Sequence, residues 1–250
     1  MRECNNTAGF DVSRAFGFFT YRMGELEIPY RFYVPAAVNK SDSVNAPRPL
    51  VIFLHGSGSR GNDNTAPLEN VLAKAFLDPE NPIFASYVLA PQCGSGRQWV
   101  NTPWAKGNYS VDATPESPEL AAVIELTKKL CRENNIDRGR IYLTGVSMGG
   151  FGVWDMLARH GELFAYAMPV CGGGDPSYAR KMKDIPICTF HGSADESVPV
   201  SGTREMVEAV KAAGGKITYT ELKDAPHAIW DGVFSDTSNF IRMFAQTPKP

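Results

Sequence analysis

The run Gly145-Val146-Ser147-Met148-Gly149, followed by Gly150, sets one serine between glycines two residues away on either side. A serine hydroxyl is well presented for attack when it sits on a tight strand-to-helix turn, where flanking side chains would crowd the backbone. The neighbouring residues supply that setting. The β-favouring run RIYLTGVS (Arg140 to Ser147) ends at the motif, and the helical FGVWDMLARH starts just after it. The N-terminus of such a helix brings positive partial charge to an oxyanion forming beside Ser147, and the backbone amide of Met148 is the first candidate donor to it. Two glycines and a serine at this spacing arise by chance in roughly one chain in ten of this length, so the strand and helix around them carry the argument.

A serine hydroxyl needs a base, and histidine titrates nearest to neutral pH. The chain has four histidines. His55 and His191 end apolar runs just before a glycine, His160 closes the helix after Ser147, and His227 lies in the loop DAPHAIW. The chain order that accompanies such a turn is serine, acid, histidine; His55 precedes Ser147 and His160 closes the helix directly after it, which leaves His191 and His227. His191 precedes the best acid and suits a supporting hydrogen bond, so His227 is the expected base. The expected acid is Asp195 in HGSADESVPV, a carboxylate able to take the Nδ1 hydrogen of His227 and hold its tautomer. Its rival is Asp175 in CGGGDPS, which also fits a turn residue before Pro176. Glu196 reads as a solvated charge and Asp231 as a cap for the closing helix. A second oxyanion donor is expected from HGSGSRGND, at the amide of Ser57, with His55 orienting that loop. Arg60 and Asn62-Asp63-Asn64 could face a substrate or stabilise the loop.

These groups need a scaffold. FFTYRM (Phe18 to Met23) and LEIPYRFYVP (Leu26 to Pro35) read as a β-hairpin about Gly24-Glu25. Six further apolar runs follow: PLVIFLHG, ASYVLAP from Ala85, RIYLTGVS, AYAMPVCGG from Ala165, IPICTFHG from Ile185 and KITYTEL from Lys216. Helical periodicity lies between them, over residues 67–77, 117–134, 149–160, 200–213 and 235–245. Ser117-Pro118-Glu119 is a strong helix start. Strands alternating with helices predict a mostly parallel sheet with helices on both faces. The stretch from Pro91 to Thr114 is too long for an ordinary connection. Its Trp99, Trp104 and Tyr109 could stack on a sugar or an aromatic acyl group, or pack the loop itself.

Composition narrows the classes. Of 250 residues, 43% are hydrophobic and 21% charged, near the averages of globular domains, and one domain over the whole chain is the default. A net charge of −2 offers no electrostatic reason for a nucleic-acid partner. No run approaches the roughly 18 apolar residues of a membrane span, and the start MRECNNTAG lacks the apolar centre of a secretion signal. The five cysteines are scattered with no C-x-x-C pair. Cys171 and Cys188 read as buried thiols, and Cys4 and Cys93 could pair. No two histidines sit at metal-ligand spacing, which counts against a metal hydrolase.

With GVSMGGFGVWDMLARH, CGGGD, HGSADESVPV and DAPHAIW in order, the chain resembles the α/β-hydrolase superfamily. More narrowly, it is similar to the small esterases described as predicted peptidases, phospholipase/carboxylesterase-like proteins and feruloyl esterases. The similarity spans about Tyr30 to Phe244. It implies a three-layer α/β-hydrolase fold with a mostly parallel sheet of about eight strands and an N-terminal antiparallel hairpin. It also implies nucleophile Ser147, acid Asp195, base His227 and oxyanion amides at Ser57 and Met148. No cofactor is implied. The implied substrates are carboxylic esters, among them feruloyl and acetyl esters of plant polysaccharides. Many relatives carry an acidic residue where this chain has Ser59, which bears on contacts in that loop. Dienelactone hydrolases, a related branch, use a cysteine nucleophile, and Ser147 argues against them. A peptidase or amidase with the same three residues is the nearest alternative, and a non-catalytic binding protein on this fold is the other.

Overall fold

A computed structural model describes residues 11–35, 46–69 and 71–246; the Cys4–Cys93 pairing lies outside these residues at its Cys4 end. Its strands are β1 (Phe16–Met23), β2 (Leu26–Tyr33), β3 (Arg48–Leu54), β4 (Tyr87–Pro91), β5 (Ile136–Val146), β6 (Tyr166–Val170), β7 (Ile187–Gly192) and β8 (Ile217–Leu222). Its helices are α1 (Val12–Ala15), α2 (Ala66–Glu69), α3 (Pro118–Glu133), α4 (Met148–His160), α5 (Ala179–Met182), α6 (Val200–Ala212), α7 (Trp230–Ser235) and α8 (Thr237–Phe244). The strands form one sheet in the order β1-β2-β4-β3-β5-β6-β7-β8. The expected hairpin is β1 with β2, and β2 pairs antiparallel with β4. All other pairs are parallel.

The unbroken apolar runs are explained by burial on both faces. Along β3, Leu50, Ile52 and Leu54 face a core that includes Leu120 of α3, Phe151 of α4 and Met206 of α6. Val51 and Phe53 face the opposite core, with Leu72, Phe234 of α7 and Phe240 of α8. The sheet is thus the middle of three layers. Ser117 caps α3 as its sequence predicts, accepting from the Leu120 amide at 3.1 Å.

Two helical segments differ from expectation. Residues 67–77 form α2 and then a 3₁₀ turn over Leu72–Phe76 rather than one helix. The apolar spacing there records which side chains are buried, not which hydrogen-bond register the backbone adopts. The closing helix expected over residues 235–245 is α8, and a short, unexpected α7 precedes it. Asp236 leaves helical geometry at ψ 97° and accepts from the Ser238 amide, which starts α8. Asp231 is therefore not the cap of the closing helix; it sits in the first turn of α7, 3.4 Å from Lys74 Nζ. No helix among the described residues is long and apolar enough to cross a membrane.

Candidate active site

β5 ends at Val146 and α4 begins at Met148, leaving Ser147 between them at φ 55° and ψ −120°. Non-glycine residues avoid this backbone region, and it persists only where the surroundings over-determine it. Here the Ser147 amide donates to the Val170 carbonyl at 2.9 Å, and the Ser147 carbonyl accepts from the Phe151 amide at 3.1 Å. A Cβ on Gly149 would lie 1.9 Å from the Leu54 carbonyl oxygen, and one on Gly145 would lie 2.7 Å from the Leu54 and Gly149 carbonyl oxygens. The two glycines therefore allow β3 and α4 to close around the turn. Ser147 keeps 7% of its surface, so it is recessed without being sealed.

Three loops bring the other groups to it. His227, in the loop after β8, places Nε2 2.8 Å from Ser147 Oγ and Nδ1 2.6 Å from Asp195 Oδ2. The carboxylate can only accept, so Nδ1 carries a hydrogen and Nε2 is free to accept the serine proton. Asp195, in the loop after β7, is fixed by the Ser197 and Val198 amides, both 2.8 Å from Oδ1. Burial pulls its carboxyl upward, but the Val198 amide and the His227 imidazole outweigh burial and hold it below its ordinary value. Asp175, the rival acid, is committed elsewhere: it accepts from the Ser177 amide at 2.9 Å and from the Val111 amide at 2.7 Å.

The loop after β3 lies against the serine. An ideal Cβ on Gly56 would sit 3.6 Å from Ser147 Cβ. His55 is buried, with Nδ1 2.7 Å from the Gly56 carbonyl and Nε2 accepting from the Cys93 amide at 2.9 Å. Nε2 accepts, so Nδ1 donates. The Gly56 carbonyl and the Ser57 amide belong to one trans peptide plane, so this bond also fixes where the Ser57 N–H points. Burial lowers the His55 imidazole to about 4, which keeps it neutral and in that tautomer. Neither the Ser57 amide nor the Met148 amide donates to an acceptor among the described residues.

Aromatic residues of the long loop divide. Trp99 is 0% exposed, and its Nε1–H donates to the His55 carbonyl at 2.9 Å. It supports the loop and offers no face to a ligand, which corrects the expectation that it stacks on substrate. Tyr109 donates its hydroxyl to Asp155 Oδ1 at 2.7 Å, and Arg159 binds the same carboxylate at 2.8 Å. Trp104 is half-buried, with the Arg60 guanidinium 5.8 Å from its ring centre, and Arg60 in turn donates to the Ser57 carbonyl at 3.0 Å.

Residues given no part in the site by the sequence also reach it. The Trp230 ring stands edge-on to the His227 ring at 5.2 Å; its only signal is its place three residues after His227. Cys171, at φ 50°, donates its thiol to the His227 carbonyl at 3.3 Å. Burial pushes that thiol up to about 12, so it stays protonated. Among the described residues one group has metal-ligand atoms within 4.8 Å of one another: Cys171, His191 and Asp195. Sequence spacing misses it because Cys171 follows β6 while His191 and Asp195 lie at the end of β7 and in the loop after it. Its atoms already serve one another and their neighbours, with His191 Nε2 3.0 Å from Asp195 Oδ2.

Residues 36–245 match the phospholipase/carboxylesterase family. Over 148 residues, 59% of this chain, the sequence is 25% identical to a bifunctional acetylxylan esterase/xylanase of Neocallimastix patriciarum, of which it covers 19%. Over 126 residues, 50% of this chain, it is 29% identical to a poly(3-hydroxyalkanoate) depolymerase C of Paucimonas lemoignei, of which it covers 28%. The chain thus spans under a third of either relative. The fold matches the crystal structure of a thermostable esterase with a TM-score of 0.81 and 36% identity, covering 93% of this chain and 63% of that one. With the three-layer sheet, the serine turn after β5 and a family match over most of its length, the chain belongs to the phospholipase/carboxylesterase family of α/β-hydrolases.

Proposed function

We propose that this chain hydrolyses carboxylic esters through an acyl-enzyme on Ser147. The observation that carries this reading is the line Asp195 Oδ2, His227 Nδ1, His227 Nε2, Ser147 Oγ, with spacings of 2.6 and 2.8 Å across its two hydrogen bonds. His227 takes the serine proton as Oγ attacks the ester carbonyl carbon. The carbonyl oxygen becomes an oxyanion and accepts from the Ser57 and Met148 amides, whose unengaged hydrogens suit that role. The protonated His227 then gives its proton to the departing alcohol, leaving an ester of Ser147. Water attacks that ester with His227 again as base, and as the acyl–Oγ bond breaks His227 returns the proton to Ser147 Oγ and the acid leaves. Asp195 stays ionised throughout and keeps Nδ1 protonated.

The likeness to an acetylxylan esterase supports acetyl, feruloyl or similar esters of plant polysaccharides, or small aryl esters, as the substrates. An acetyl-xylan, a feruloyl ester, p-nitrophenyl acetate and an aminoacyl amide, each assayed on wild type and Ser147→Ala, test this. Esters should turn over and the amide should not. The substitution should remove at least about a thousandfold of the ester rate. A folded Ser147→Ala protein with undiminished turnover would overturn the reading, and faster turnover of the amide than of any ester would make the chain an amidase.

A further inference from the structure

We propose that His191 is a positioning residue for this reaction: its Nε2–H is donated to Asp195 Oδ2, the same oxygen that takes the Nδ1–H of His227, and through that shared oxygen it governs how firmly the acid holds the base. The proposal rests on the reading of Ser147, His227 and Asp195 given above.

The hydrogen inventory leaves little choice. His191 ends β7 with its ring fully buried. Its Nε2 lies 3.0 Å from Asp195 Oδ2 and 3.1 Å from the Val198 carbonyl. Both partners only accept, so the hydrogen resides on Nε2. On the other side Nδ1 lies 2.7 Å from Thr203 Oγ1, which is also 2.7 Å from the Gly172 carbonyl. The single Thr203 hydrogen serves one or the other. With its hydrogen on Nε2 the neutral ring only accepts at Nδ1, so the Thr203 hydroxyl of α6 donates to it and holds the ring from behind, and the hydrogen-bonded chain runs from Thr203 through His191, Asp195 and His227 to Ser147.

An ionised carboxylate has about four acceptor positions. Asp195 uses two on Oδ1 for backbone amides and two on Oδ2 for imidazoles. With all four filled, it cannot turn away from His227 without breaking a bond. A side chain that merely filled space at 191 would leave Oδ2 with one donor and the Val198 carbonyl without its imidazole.

The other charged and titratable groups near the ring are few. On β8, Glu221 is in register with His191, and it is neutralised by Arg204 of α6 at 2.6 and 2.9 Å and bonded by Tyr219 at 2.7 Å. Cys171, just beyond β6, faces it as an un-ionised thiol. Asp195 and His227 come from the loops. Burial lowers the His191 imidazole, which keeps the ring neutral, so its effect on Asp195 is that of a fixed N–H dipole.

Removing that dipole leaves more of the carboxylate charge for His227 and stabilises its protonated form, so the base stays protonated to higher pH. His191→Leu keeps roughly the volume and removes both nitrogens, while His191→Gln can return an amide N–H to the place of Nε2. For His191→Leu, kcat should fall about tenfold with KM within about twofold of wild type. The acid limb of kcat/KM should rise by about half a pH unit. His191→Gln should recover most of both, even if its melting temperature is as low as that of His191→Leu. Where His191→Leu does not fold, Thr203→Val, which frees the ring on its Nδ1 side, should lower kcat in the same way. Equal profiles in wild type, His191→Leu and His191→Gln would overturn the proposal, as would losses in Leu and Gln that track melting temperature with no movement of the limb. Failure of the parent reading looks different, because turnover would then survive Ser147→Ala. In that event the NMR titration of the His227 ring in the same variants still decides, with an upward move in His191→Leu supporting the link and no move refuting it.

Discussion

At the scale of single residues, the two tryptophans of the long loop show how an aromatic earns or loses a place at a binding surface. Trp99 is closed in, with its one donor spent on the His55 carbonyl. Trp104 has its Nε1 buried with no acceptor, and its ring meets Arg60, two residues along the loop from Gly58 and tied to Ser57. The half-buried ring, not the closed-in Nε1, is what Trp104 can offer to a sugar or aryl ring. We expect Trp104→Ala to lower kcat/KM for feruloyl and xylan-borne acetyl esters by about tenfold, near the upper worth of one aromatic stacking contact. The loss on p-nitrophenyl acetate, measured in parallel, should be no more than about twofold if only the remote part of the substrate is affected. Equal losses on all three substrates would assign Trp104 to loop packing.

At the scale of elements, the strand, turn and helix around Ser147 form a unit in which space is the governing quantity. The alanine methyl of Gly149→Ala must displace the Leu54 carbonyl, 1.9 Å away, so β3 and α4 have to separate. That should cost about 3 kcal/mol, or on the order of 10 °C in melting temperature, and it should remove turnover as well because Met148 moves with α4. Gly232 of α7 has nothing within 4 Å of an added Cβ, so Gly232→Ala should hold or raise stability by about 0.5 kcal/mol. Thermal melts of the two variants check the contrast. This unit was legible in the sequence because an apolar strand, small residues and a helix adjoin in one stretch. So were the sheet, whose runs are buried on both faces, and the loops carrying Asp195 and His227, which follow strands. The rest depends on where the chain folds back upon itself. Trp99 looks the same in sequence whether its ring faces cleft or core. His191 and Asp195 share their oxygen with a residue 32 positions past Asp195. The break at Asp236 between α7 and α8 is a local capping choice that periodicity cannot register.

At the scale of the whole molecule, the sheet collects the proposed catalytic groups at one edge, because Ser57, Ser147, Asp195 and His227 all follow the carboxyl ends of parallel strands, where open α/β sheets form their crevice. The same edge buries two histidines, His55 after β3 and His191 at the end of β7, and burial lowers both. This makes the fold itself sensitive to acid. In the folded chain His55 titrates at about 4, against 6.5 for an unperturbed imidazole. Between those values the unfolded chain binds the proton and the folded chain does not, so stability falls as pH drops from about 6.5 and levels off below about 4. The His55 share of that fall is about 3 kcal/mol. His191 adds a contribution of the same sign. His55→Asn keeps a donor for the Gly56 carbonyl but has nothing to titrate. It should be less stable than wild type at pH 7, because the Cys93 amide loses its acceptor, by about 1–3 kcal/mol. Its urea midpoint should then decline less steeply than that of wild type between pH 6.5 and 4, by about one proton in the slope, so the two curves converge toward the acid end. Parallel curves would mean that His55 takes up a proton within the folded protein, and that the loop after β3 is not held by a neutral ring.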